Sequence, residues 1–78
     1  MMFGKGDHVR LTIGDKSLEA IVVLASDNGR SLMLVFDGTV WLHGAMIAGY
    51  LPVLQDADGP DWSEILTGQP VQIAAIES

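Results

Sequence analysis

A chain of 78 residues without cysteine must hold one small core with no disulfide or thiolate–zinc support, near the lower size limit for a single domain. Hydrophobic residues make up 49% of it and the mean hydropathy is +0.34, more apolar surface than so small a body hides, so the surplus needs a membrane, a partner protein or a second copy. The net charge of −6, ten acids against Lys5, Arg10, Lys16 and Arg30, opposes the counterion release that drives nucleic-acid binding, and no nucleic-acid partner is expected.

Residues 1–6, with Gly4 and Gly6 and no periodicity, read as a flexible arm ahead of one domain over 7–78. No apolar run approaches the roughly 18 residues that span a bilayer, and the N-terminus lacks a signal peptide's apolar segment, so a cytoplasmic, bacterial-type protein without membrane contact is expected. From His8 the pattern is strict. Val9, Leu11 and Ile13 alternate with His8, Arg10 and Thr12, as in a strand with one buried and one wet face. Gly14 to Ser17 is a turn.

Leu18–Ala25 and Arg30–Phe36 then flank Asn28-Gly29, and Asn-Gly between apolar runs is the strongest short-range hairpin signal. A two-residue loop sets Asp27 opposite Arg30, Ala25 opposite Leu32, Val23 opposite Leu34 and Ile21 opposite Phe36 on one face. Val22 and Leu24 meet Val35 and Met33 on the other. A three-residue loop with Gly29 in the left-handed conformation shifts this register, and the Asp27–Arg30 pair favours the shorter loop. In either register both faces are apolar, whereas an antiparallel sheet with one wet face alternates.

Asp37-Gly38 reads as a second turn, and Thr39 to His43 as a short strand or the start of an excursion. Gly44 to Gly49 fits a loop or a single helical turn. Tyr50 to Gln55 is a strand, with Pro52 placed at an edge or a bulge because it lacks an amide hydrogen. After the Asp56–Pro60 break, Asp61 to Gly68 has an acidic start and a glycine end, the signature of one helical turn. Pro70 to Ile76 closes the chain as a last strand. Five or six short strands with frequent turns predict an all-β fold, a small antiparallel SH3-like barrel with a central hairpin and one short helical turn.

Such a barrel has one interior. Val9, Leu11, Ile13, Val53, Ile73 and one hairpin face fill it, leaving the other face, assigned to Ile21, Val23, Leu34 and Phe36, as a homo-oligomer interface. The competing arrangement folds Gly44–Leu54 back over that face.

Asp56, Asp58, Asp61 and Glu64 form an acidic cluster, but the glycine and the twelfth-position glutamate of an EF-hand are out of place, so a solvated turn and no metal are expected. His8 and His43 lack ligand spacing and read as surface residues, and Ser17, Ser26, Ser31 and Ser63 form no local nucleophile motif. Gly4-Lys5-Gly6 lacks the strand and helix of a phosphate loop. Trp41, Tyr50 and Trp62 are candidates for an aromatic groove that binds an extended proline-rich peptide.

The succession VRLTI (9–13), AIVVLAS (20–26), NGRSLML (28–34), FDG (36–38), GYLPVL (49–54), DADG (56–59) and LTGQPVQI (66–73) resembles a group of small uncharacterised bacterial proteins, some carried as mobile gene cassettes. That resemblance implies a compact β-fold and brings no activity. Phe3 to Arg10 and Val71-Gln72-Ile73 resemble the barrel start and the Val-Gln-Ile-Tyr segment of the type II dihydrofolate reductases, homotetramers with a pore at the symmetry centre. This second resemblance implies Gln72 and Ile73 as pore residues, although Ala74 stands where that family has tyrosine. No Arg-x-x-x-Arg precedes the barrel, as a PilZ domain requires. The expected function is therefore non-enzymatic, a self-associating protein-binding or accessory module without cofactor. The alternative is a small oligomeric enzyme with its site on a symmetry axis.

Overall fold

The computed structural model describes residues 3–42 and 44–76. Strand β1 (His8–Ile13) buries Val9, Leu11 and Ile13 and turns His8 and Arg10 to water, as its alternation dictates. Gly14 takes a φ of 60°, which lets a two-residue loop, Gly14-Asp15, return the chain with Ile13 opposite Lys16. Then come β2 (Lys16–Ala25), β3 (Ser31–Leu42), β4 (Ala45–Gln55), β5 (Trp62–Glu64) and β6 (Pro70–Ala75). Each strand is antiparallel to the next, and β6 returns alongside β1 with Leu11 opposite Ile73. The fold is all-β, a closed antiparallel barrel of the small SH3-like kind expected from the turn spacing.

The interior draws on every strand: Val9, Leu11, Val22, Leu34, Val40, Leu51, Val53, Trp62 and Val71 are buried together, and Ile73 packs against them partly exposed. Each buried Val or Leu contributes about 1.5–3 kcal/mol.

Near the β2–β3 turn the register is the expected one, with Ala25 opposite Leu32 and Leu24 opposite Met33. The loop is wider than two residues. The Ser26 N–H donates to the Ser31 carbonyl and the Gly29 N–H to the Ser26 carbonyl, both at 2.9 Å. Asn28 Oδ1 accepts from the Ser26 hydroxyl at 2.7 Å and the Arg30 amide at 3.0 Å. Arg30 turns away from Asp27 and donates through Nη1 to the Asp56 carbonyl at 2.7 Å.

Beyond Leu24 the ladder slips. Val23 is an extra residue, so Val22 faces Leu34 and Ile21 faces Val35. A one-residue bulge exchanges the faces of everything beyond it on that strand. Val22 and Leu34 thereby share the interior, which corrects the expected interface: Leu34 is 0% and Phe36 9% exposed, both in the core. Ile21 stays outside and Val23 is half-buried.

Asp37-Gly38 is not a turn. β3 runs through it, and the register with β4 passes from Val35–Tyr50 to Thr39–Ala48, setting Phe36 to Gly38 against Gly49. Gly38 and Gly49 supply the positive φ values of 105° and 85° that this bulge uses. An excess of two residues preserves alternation, so Val40 points inward like Phe36. The segment left open between loop and helical turn, Gly44 to Gly49, is mostly strand, and it pairs edge to edge with β3 instead of folding over the sheet.

The expected helical turn over Asp61–Gly68 is β5 followed by a tight turn, in which the Gly68 N–H donates to the Glu64 carbonyl at 2.8 Å. Among the described residues there is no helix. The stretch expected as a flexible arm is also tied down from Phe3 onward, while Met1 and Met2 lie outside the described residues. Gly6 N–H donates to the Val22 carbonyl at 2.7 Å, and the Phe3 ring packs on Trp62 with centroids 6.1 Å apart.

Candidate functional site

Alternation along β4 is unbroken: Ile47, Leu51 and Val53 face the core side, while Met46, Ala48, Tyr50, Pro52 and Leu54 face out. Every outward member is apolar or aromatic. Across the ladder Trp41 stands opposite Met46, Val35 opposite Tyr50 and Met33 opposite Pro52, so β3 adds a second outward row. Trp41 is 61% exposed, Met46 60%, Tyr50 55% and Leu54 47%. On the far side of β4, the Ile65 N–H donates to the Pro52 carbonyl at 3.1 Å, which brings exposed Ile65 and Leu66 against the same strand. A pocket of ≈ 70 Å³ lies there, lined by Ala45, Ile47, Tyr50, Pro52 and Leu66 among others.

Charge is distributed to match. From Ser31 to Gln55 the only acid is Asp37 and there is no Lys or Arg. The opposite wall is wet, with His8, Arg10 and Thr12 outward on β1 and Gln72 exposed on β6. A barrel wall that met only water would be polar on its outer face, as β1 is; the outward row of β4 is not, although β3 sets Ser31 opposite Leu54 and Thr39 opposite Ala48 beside it.

A second feature lies between β2 and β3. Their register ends at Ile21–Val35, although β2 begins at Lys16 and β3 continues to Leu42. The two strands part there, and the Lys16 ammonium bridges the gap by donating to the Thr39 carbonyl. Between these two ties is a cleft of ≈ 470 Å³, with Leu18, Ala20 and Phe36 at its base and His8, Glu19 and Asp37 around its mouth.

The residues singled out from the sequence divide accordingly. Ile21 lies on the outer surface at the edge of the cleft, beside the half-buried Val23, and Leu34 and Phe36 are interior. Trp41 and Tyr50 share the β3–β4 wall, but Trp62 is buried against Phe3, so the three do not form one groove. Gln72 sits on β6 opposite Thr12, beside a shallow recess with Gly14 and Pro70. His43 lies outside the described residues.

Asp56, Asp58 and Asp61 are exposed, whereas Glu64, read as part of the same solvated turn, is 1% exposed. Its carboxylate accepts from the Leu66 amide at 2.7 Å and from the Thr67 amide and hydroxyl at 2.8 Å each. Glu64 is thus the buried polar anchor of the β5–β6 turn, a role readable in the Thr three residues on that can bond back to it. Among the described residues no group of three His, Cys, Asp or Glu is placed to hold a metal ion. Among them too, no helix is long and apolar enough to cross a membrane. Comparison with protein-family models, with curated proteins and with solved structures finds no match for the chain.

Proposed function

We propose that the protein is a non-enzymatic, self-associating interaction module, in which the β3–β4 wall of one copy packs on the same wall of a second and the pair serves another protein as a binding or accessory unit. The observation that carries this reading is the outward row Met46, Ala48, Tyr50, Pro52 and Leu54, apolar or aromatic throughout, on a hairpin almost free of charge. A two-fold pairing suits it, because a single patch then needs to complement only itself.

Magnitudes favour reversible association. Trp41, Met46, Tyr50 and Leu54 are each about half exposed, so pairing gains about half of the 1.5–3 kcal/mol that full burial of such a side chain contributes. Taken on both copies, the gain is of the same order as the roughly 4–15 kcal/mol lost in freedom of motion. A standard interface takes about 800 Å² from each partner, about a sixth of the 4980 Å² surface of one copy.

Sedimentation equilibrium across a dilution series tests the reading. The wild type is expected to exceed the 8.3 kDa monomer mass at high concentration and fall toward it on dilution. Tyr50→Glu, which sets a carboxylate in the middle of the wall, is expected to stay monomeric throughout. A wild-type protein that is monomeric at every concentration overturns the proposal.

A further inference from the structure

We infer that the open seam between β2 and β3 is a docking site for an extended peptide segment carrying basic side chains. The seam lies on the β2 side of β3, and the inference stands whether or not two copies pair through β4.

Main-chain direction is the first support. The Val22 N–H donates to the Asp7 carbonyl and its own carbonyl accepts from Gly6, both on the β1 side. Alternation then turns the main-chain groups of Ala20, Leu18 and Lys16 toward β1, and those of Ile21, Glu19 and Ser17 toward β3. Ile21 has Val35 in register; Glu19 and Ser17 have no residue of β3 opposite them. Their N–H and carbonyl groups form a short open edge inside an otherwise closed barrel. An extended segment satisfies such an edge by adding as a strand.

The shape and chemistry of the cleft are the second support. Its ≈ 470 Å³ falls within the roughly 300–1,000 Å³ of typical ligand sites. The opening is closed at one end by the Ile21–Val35 pair and at the other by the Lys16–Thr39 bond. Leu18, Ala20 and Phe36 form an apolar base for alternate side chains of the incoming strand, and Glu19 and Asp37, with His8 beside them, stand at the mouth for the others. Two cations are nearby. Lys16 is committed to Thr39, and Arg10 meets Glu19 only at 4.0 Å in an exposed contact that neutralises little. With a net charge of −6 behind it, the mouth favours lysine or arginine and repels acids.

The test uses isotope-labelled wild-type protein and three capped pentapeptides followed by amide NMR shifts: alternating Lys-Val-Lys-Val-Lys, its Glu-Val-Glu-Val-Glu counterpart, and the lysine peptide N-methylated at all five residues, so that neither edge of the strand keeps a donor. The lysine peptide is expected to shift the amides of Ser17, Glu19 and Asp37, with the glutamate peptide at least tenfold weaker. N-methylation is expected to weaken binding at least tenfold by removing strand donors. Asp37→Lys, at an exposed position, is expected to reverse the preference between the two charged peptides. Equal response to both charges, binding that survives N-methylation, shifts confined to the β4 wall, or no response at millimolar peptide each overturn the inference.

Discussion

Glu64 Oε1 accepts two hydrogen bonds from Thr67, one from its amide and one from its hydroxyl, both 2.8 Å long. Oε2 takes the Leu66 amide at 2.7 Å, so one buried carboxylate organises the whole β5–β6 turn. Hydrogen bonds to a charged acceptor are worth about 1.5–3 kcal/mol, and donors stripped of their partner add a desolvation penalty. Glu64→Ala is therefore expected to lose about 2–4 kcal/mol of stability in urea denaturation. Thr67→Val removes one hydroxyl donor and is expected to lose about 1 kcal/mol. The double variant should lose less than the two effects added, because the residues belong to one network.

Two leucines on neighbouring strands separate interior from exterior. Leu34 has no exposed surface, and Leu24, just past the Val23 bulge, is one of the more exposed apolar residues. Leu34→Ala is expected to cost about 2.7–5 kcal/mol through lost burial and the cavity left behind. Leu24→Ala is expected to stay within about 0.5 kcal/mol. Urea midpoints of the two variants decide the matter, and equal losses would mean that the face assignment around Val23 is wrong.

What the sequence discloses follows the physics of alternation. The strict pattern of residues 8–13, the Asn28-Gly29 turn and the final Pro70 strand are legible because period-two burial and turn chemistry are local. The Val23 bulge is not. Val22, Val23 and Leu24 are all apolar, so no polar residue marks which of them is the extra one, and pairing without the bulge sets Leu34 opposite Val23 instead of Val22. The β4 wall is masked in the sequence for a related reason. Gly44 and Gly49 read as loop punctuation, whereas Gly49 serves a bulge opposite Phe36 to Gly38, and Met46, Ala48 and Tyr50 alternate straight through it. Glu64 reads with its neighbours as a solvated run because four acids fall in nine residues; only tertiary packing turns one of them inward.

Phe3 acts as a partial plug at one end of the barrel. Its ring lies against Trp62 at 57°, and the turn behind it is fixed by the Gly4 N–H to Asp7 Oδ2 bond of 2.8 Å. A half-buried ring gives part of the stabilisation of a full one, so Phe3→Ala is expected to cost about 1–2 kcal/mol. Hydrogen exchange supplies an independent check. The Gly6 amide, bonded to Val22 at 2.7 Å, is expected to exchange as slowly as strand amides in the wild type and to lose most of that protection in Phe3→Ala.

The two tryptophans offer separate reports on the interior and on the proposed interface. Trp62 is 7% exposed and packs in the core, whereas Trp41 is 61% exposed on the β3–β4 wall. In Trp41→Phe the remaining indole, Trp62, is expected to resist acrylamide quenching at every protein concentration until the barrel unfolds. In Trp62→Phe the remaining indole, Trp41, is expected to be readily quenched when the protein is dilute. As concentration rises through the range where sedimentation shows association, packing of one wall on another should exclude quencher from Trp41 and lower its quenching constant severalfold. Should mass increase while Trp41 stays equally open to quencher, association proceeds through a surface other than the β4 row. The Trp62→Phe substitution removes core volume and is expected to lower stability by about 1–3 kcal/mol, so its fold is checked first by circular dichroism.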